Sequence, residues 1–306
     1  MDGTAVLHEL DVHPCKAQQT SRKTKRIVAA DGYKLSADVF MPATPPRGIV
    51  VIAGGVAIPQ RFYCRFAEQA RQRGYQVITF DYRGIARSAP RTLRGFNMDI
   101  RDWGQLDLAA VIEAAADEAD KREIPLYLVA HSFGGHAFGM CSNHRRVHAC
   151  FTYGTGAGWG GWMPLAERLR VLALWNVVGP LLTSWSKYLS WSALGMGEDL
   201  PLNVFRQWRR WCRYPHYFFD DPVIGSKMRA MFSRVQTPML AVAATDDRWS
   251  PPRSRDAFLT GYTNAHVTRL DLNPQTAQVG SLGHMGYFRS HAATLWPRVF
   301  EWFESV

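Results

Sequence analysis

The chain has 306 residues, 47% of them hydrophobic and 20% charged, a balance that excludes disordered, collagen-like and low-complexity proteins. Lys and Arg number 36 against 26 Asp and Glu, a formal charge of +10, which points toward acidic ligands or an anionic surface. No helix-turn-helix, RNP or zinc-finger pattern accompanies the charge, so nucleic-acid binding is set aside.

Residues Met1–Pro14 carry acids and histidines where a secretory leader needs a basic stretch and then an apolar one. Residues 1–24 are therefore read as an N-terminal extension, and the expected compartment is the cytoplasm. Cys15, Cys64, Cys141, Cys150 and Cys212 are odd in number and irregularly spaced. That pattern predicts reduced thiols packed as small apolar groups.

In chain order, short apolar runs alternate with helical patterns, as in a mostly parallel sheet covered on both faces. Gly48–Ala53 reads as a buried strand that ends at Gly54-Gly55, and Tyr63–Arg73 as a helix stopped by Gly74. Tyr75–Phe80 is the next strand, and Asp102–Ala119 a long amphipathic helix. Leu126–Ala130 predicts a strand, followed by His131-Ser132-Phe133-Gly134-Gly135 and a helix through Cys141. Val147–Tyr153 is another strand. After a long interruption come strands at Pro238–Ala244 and Ala265–Leu272, and a closing helix over Ala292–Glu304.

The interruption runs from Gly154 to about Gln236 and holds seven of the eleven tryptophans, in helical periodicity without strand patterns. An inserted helical cap over residues 159–230 is expected, with 25–158 and 231–306 forming the core. Its most apolar part, Val171–Leu189, is broken by Gly179, Pro180, Ser184, Ser186 and Lys187, so it predicts a buried helix pair and no transmembrane segment.

A strand, a sharp turn bearing a serine and then a helix make the geometry of a nucleophile elbow. Ser132 stands in that turn, with small residues, Ala130 and Gly134, two positions to either side. The helix start beneath it favours developing negative charge. Asp247 follows the Pro238–Ala244 strand by a few residues, at the sheet edge where ligands bind in such proteins. Asp246 beside it competes for the same role, and the spacing from Asp247 to Pro251 favours Asp247. His284, between Gly283 and Met285-Gly286 after the last strand, is the candidate base. His291 lies at the edge of the closing helix, and His131 is too close in sequence to align with Ser132, so its expected role is packing or hydrogen bonding beneath the turn. The order Ser, Asp, His is that of a nucleophile-elbow hydrolase. Oxyanion donors are expected at the N–H groups of Phe133 and Val56, the second in the Gly54-Gly55 loop.

These residues resemble the α/β-hydrolase superfamily, and more closely its serine aminopeptidase-like and lysophospholipase-like bacterial branch. The resemblance rests on Gly54-Gly55-Val56, on Tyr63 with the helix to Gly74-Tyr75, on Asp81-Tyr82-Arg83-Gly84-Ile85-Ala86-Arg87-Ser88, and on Trp103–Asp107. His131–Gly135, Asp247 and Gly283-His284 complete it, so it spans roughly residues 25–305, with Ala86 standing where the family has glycine. It implies an α/β-hydrolase fold with the Ser132-Asp247-His284 triad; the expected activity is that of a serine hydrolase cleaving a carboxylic ester or related acyl bond through an acyl-enzyme, with no cofactor or metal expected. An acyltransferase with the same triad and a binding protein that keeps the fold are the rival functions. An aminopeptidase would need a cap acid such as Glu167, Glu198 or Asp220 to hold the substrate amine.

Two further patterns are weighed and set aside. Cys141, His144, His148 and Cys150 have metal-ligand residue types, but they straddle a helix end and a strand, which would point them apart. Gly156, Gly158 and Gly161 spell a dinucleotide-type glycine motif, yet no second strand with a terminal acid follows. They read as the hinge into the cap. The expected partner is a small acyl substrate with an apolar or aromatic pocket formed in part by cap tryptophans.

Overall fold

The computed structural model describes residues 22–306. Eight strands form one sheet: β1 Arg22–Val28, β2 Lys34–Phe40, β3 Ile49–Ala53, β4 Gln76–Phe80, β5 Leu126–His131, β6 Ala149–Tyr153, β7 Met239–Ala244 and β8 Val267–Leu272. They lie in the order β1-β2-β4-β3-β5-β6-β7-β8, with β2 antiparallel to both its neighbours and every later pairing parallel.

Strands β3 to β6 are buried along their whole length, because side chains of both parities find a covered face. On β3, Ile49, Val51 and Ala53 pack into one core, and Val50 and Ile52 into the other. The first core is closed by α2 (Ala109–Asp120), α3 (Phe133–Met140) and α8 (Pro252–Leu259); the second by α1 (Cys64–Gln72) and α9 (Pro297–Phe303). Each large aliphatic or aromatic side chain buried this way contributes about 1.5–3 kcal/mol.

The basic residues Arg22, Lys23, Lys25 and Arg26 lie on the edge strand β1. Arg22 pairs with Asp38 at 2.6 Å on β2, and its neighbours point to water. Charge on an edge strand discourages pairing with another chain. The extension expected over 1–24 thus ends before Arg22, and residues 1–21, Cys15 and the leader reading among them, lie outside the described residues. Reduced thiols hold for Cys141, Cys150 and Cys212, but Cys64 is disulfide-bonded, which corrects that expectation.

Two expected helices are interrupted. Over residues 103–108 the backbone widens into a π-helical turn before α2, where a Cβ on Gly104 would lie 2.6 Å from the Ala137 carbonyl oxygen. The closing helix splits into a 3-10 stretch, Ser290–Leu295, and α9, because Pro297 lacks the N–H that a continuous helix needs.

Between β6 and β7 the chain forms α4 (Leu165–Ala173), α5 (Gly179–Ser186), α6 (Leu202–Trp211) and α7 (Gly225–Phe232). A π-helical stretch, Leu174–Val178, joins α4 to α5. Trp175, Trp191 and Trp208 pack on one another with ring centroids 4.9 and 5.5 Å apart, whereas Trp185 is 88% exposed. Glu198 ties this segment to the body by an ion pair with Arg61 at 2.7 Å and an N–H bond to the Ala57 carbonyl. The boundary expected at residue 230 falls inside α7, whose Phe232 sits against Gly139 of α3. Among the described residues no helix is long and apolar enough to cross a membrane.

Candidate active site

Ser132 occupies the single residue between β5 and α3, with φ 51° and ψ −111°. A non-glycine residue held there is strained, and only the packing around it can enforce the conformation. That packing is tight. A Cβ on Gly134 would lie 2.2 Å from the Ala53 carbonyl oxygen, and one on Gly135 would lie 2.3 Å from Thr155 Oγ1. Glycines at these two positions let α3 approach β3 and the loop after β6.

The structure brings Ser132, His284 and Asp247 together. Ser132 Oγ is 2.9 Å from His284 Nε2, and His284 Nδ1 is 2.8 Å from Asp247 Oδ2. Asp247 is almost fully buried, and its Oδ1 accepts the N–H groups of Trp249 and Ser250 at 2.9 and 2.8 Å. A carboxylate can only accept, so the ring proton sits on Nδ1 and Nε2 presents its lone pair to the serine hydroxyl.

Asp246 has a different task. Its Oδ2 accepts from Ser281 Oγ and Leu282 N at 2.8 and 2.9 Å, and its Oδ1 from Gly283 N at 3.1 Å. It holds the loop that delivers His284, while its neighbour holds the ring. His291 packs near Gly280 and Gly286 of the same loop, and the ring that bonds Ser132 is that of His284.

His131 lies beneath the turn, fully buried. Its Nε2–H donates to the His284 carbonyl at 2.9 Å, so its Nδ1 accepts the Tyr63 hydroxyl at 3.0 Å. The Tyr63 oxygen in turn accepts Gly55 N–H at 2.9 Å. One chain of hydrogen bonds therefore links the Gly54-Gly55 loop, the serine turn and the histidine loop. Burial, and then the neighbouring His284, pushes the His131 imidazole down to about 3, so it stays neutral.

Val56 and Phe133 line the same small cavity as Ser132, and neither N–H donates to a protein group among the described residues. The cavity measures about 10 Å³, room for roughly one water molecule. His136, Gly154, Gly156, Gly158, Trp208, Tyr217, Trp249 and Ser250 complete its wall. Gly156 and Gly158, expected only as a hinge, are thus part of the site. Trp208 of α6 is half-buried in this wall, alongside the polar side chains of His136, Tyr217 and Ser250.

The remaining candidates lie elsewhere. Glu167 pairs with Arg170, Glu198 with Arg61, and Asp220 with His216 and Arg229, and none of the three lines the cavity. Cys141 Sγ faces the Gly104 carbonyl, whereas His148 reaches the backbone oxygen of Val306. Sequence reasoning missed the clamp role of Asp246, the Tyr63 link, and His136, Tyr217 and Ser250. No local motif marks these residues, because they meet only in the folded chain.

Residues 44–176, somewhat under half of the chain, match the family model described as serine aminopeptidase, S33. The chain is 30% identical over 118 residues to a monoacylglycerol lipase of Mycolicibacterium smegmatis, covering 38% of this chain and 40% of that protein. It is 29% identical over 98 residues to a monoglyceride lipase of Saccharomyces cerevisiae, covering 32% and 30%. The chain thus matches well under half the length of either curated relative. Among solved structures, a soluble variant of the S. cerevisiae monoglyceride lipase in complex with a substrate analog has a TM-score of 0.68 at 17% identity, covering 96% of this chain and 98% of that one. A Pyrococcus furiosus esterase has a TM-score of 0.59 at 15% identity, covering 93% and 90%. These likenesses show a shared fold.

Proposed function

We propose that this chain, a member of the α/β-hydrolase superfamily, is a serine hydrolase that cleaves carboxylic esters. The observation that carries the reading is the continuous link from Ser132 Oγ through His284 to Asp247, at 2.9 and 2.8 Å. The names of the matching lipases and esterases support an ester as the substrate class.

In this reading Ser132 attacks the ester carbonyl as its proton passes to His284 Nε2. Asp247 stabilises the imidazolium through Nδ1–H, and its own position is set by the two backbone N–H groups on Oδ1. The oxyanion is received by the unengaged N–H groups of Val56, in the loop after β3, and of Phe133, at the start of α3, where the helix dipole adds to the stabilisation. His284 then protonates the leaving alcohol. Water, deprotonated by the same nitrogen, attacks the acyl-enzyme and releases the acid.

A fluorophosphonate probe tests this directly. Wild type is expected to be labelled at Ser132 and to hydrolyse short p-nitrophenyl esters, and Ser132→Ala to lose both. An unlabelled, well-folded wild type, or a labelled Ser132→Ala, would overturn the proposal.

A further inference from the structure

Three residues in the wall of the Ser132 cavity each carry a fully buried polar side-chain atom that makes no hydrogen bond within the protein: His136 Nδ1, the Tyr217 hydroxyl and Ser250 Oγ. All three residues are more than nine-tenths buried, at 6%, 0% and 2% exposure. Leaving a buried polar group unpaired is unfavourable, and folded proteins rarely tolerate it without a purpose. Three such groups around one small cavity, next to a reactive serine, call for a common partner.

Their arrangement restricts what that partner can be. The His136 ring stacks obliquely on Tyr217, with centroids 4.9 Å apart, and its Nε2–H donates to the Gly156 carbonyl at 2.9 Å. Nδ1 is therefore left as an acceptor only. A Cβ on Gly156 would lie 2.3 Å from Ser250 Oγ, so glycine at this position makes the room that hydroxyl occupies. Burial pushes the His136 imidazole down to about 3 and keeps the Tyr217 phenol protonated. The cavity wall carries no formal charge.

A carboxylate or phosphate would meet the lone pair of Nδ1 with no cation to balance it. An ammonium would be buried without a counter-charge. An alkyl group would leave all three atoms unpaired. A hydroxyl fits: it donates once, to Nδ1, and accepts from the phenol and the serine.

We propose that His136, Tyr217 and Ser250 form a recognition subsite for a hydroxyl group carried by the ester substrate. This subsite selects hydroxylated esters over their plain alkyl counterparts. The inference rests on the serine-hydrolase reading and adds the substrate class to it. It also runs against the chain's basic charge, which by itself suggested an anionic ligand.

The test uses full-length protein and two matched ester pairs. p-Nitrophenyl 3-hydroxybutyrate against p-nitrophenyl butyrate places the hydroxyl on the acyl side. Glycerol monobutyrate against propyl butyrate places it on the alcohol side. At least one pair is expected to show a preference of about 10-fold or more in kcat/KM for the hydroxylated member, because a site built to bond a hydroxyl rejects its absence. Tyr217→Phe and Ser250→Ala each remove one partner without changing the shape much. Each is expected to pull the ratio toward one without lowering the melting temperature, since neither hydroxyl bonds to the protein.

Equal rates within both pairs, in a wild type that a fluorophosphonate labels at Ser132, would overturn the subsite and leave the hydrolase reading intact. A preference that survives in both variants would overturn it as well. Failure of labelling would remove the hydrolase reading first, so the two failures are distinguishable.

Discussion

Replacing Asp247 by Asn changes one atom and should nearly abolish catalysis, whereas the same change at Asp246 should not. Asp247 Oδ1 accepts two backbone N–H groups, from Trp249 and Ser250, and the residue is shielded from water. An Asn amide must keep its oxygen toward those donors, since its NH2 group would face them donor to donor. The NH2 group then points at His284 Nδ1, now forced to accept, and the ring proton moves to Nε2. A protonated Nε2 cannot take the Ser132 proton. In other triads this inversion lowers kcat by about 10⁴, which corresponds to about 5 kcal/mol of barrier. At Asp246 the Asn oxygen can still accept Leu282 N–H or Gly283 N–H, so the histidine loop loosens without inverting the ring, and a loss of about 10-fold is expected. Steady-state hydrolysis of p-nitrophenyl acetate and the rate of fluorophosphonate labelling would measure both variants, with thermal melts confirming that each is folded. An Asp247→Asn enzyme within 10-fold of wild type, or an Asp246→Asn enzyme that is the slower of the two, would refute this division of labour.

Tyr63→Phe leaves Gly55 N–H and His131 Nδ1 without their shared partner, at about 1–3 kcal/mol for each buried group. Its melting temperature should fall by several degrees, and an unchanged value would count against the link. Gly134→Ala drives a Cβ to 2.2 Å from the Ala53 carbonyl and should destabilise by roughly 3 kcal/mol in a denaturant titration. Gly280→Ala, whose nearest neighbour is 3.5 Å away, should stay within about 0.5 kcal/mol of wild type. His131 and His136 remain neutral in the folded protein down to about pH 3 but take up protons near pH 6.5 when unfolded. Their contribution to stability is therefore complete above pH 6.5 and declines as the pH falls toward 3. The slope approaches about 1.4 kcal/mol per pH unit for each histidine. Unfolding free energies at pH 7.5, 6 and 5 should trace the decline, and a flat profile would contradict it.

Some of this protein is written locally. Buried runs such as Ile49–Ala53 and Leu126–Ala130 identify themselves as strands because five apolar residues in a row, too short for a buried helix and flanked by Pro or Gly, suit a covered sheet. The serine turn is legible for a similar reason: a strand, then Ser132, then two glycines in the first turn of a helix leave the backbone little choice. The order of Ser132, Asp247 and His284 follows from where strands end, which periodicity also reports. The edge strand β1 was hidden because its outward residues are charged and only its pairing with β2 makes it a strand. Which of two adjacent acids reaches the imidazole depends on the turn after β7, where Asp247 points in toward the ring and Asp246 toward residues 281–283. The wall of the cavity was the least legible part. His136 lies on α3, Tyr217 between β6 and β7 and Ser250 after β7, and only the chain's long-range closure brings the three residues to the wall of one small space.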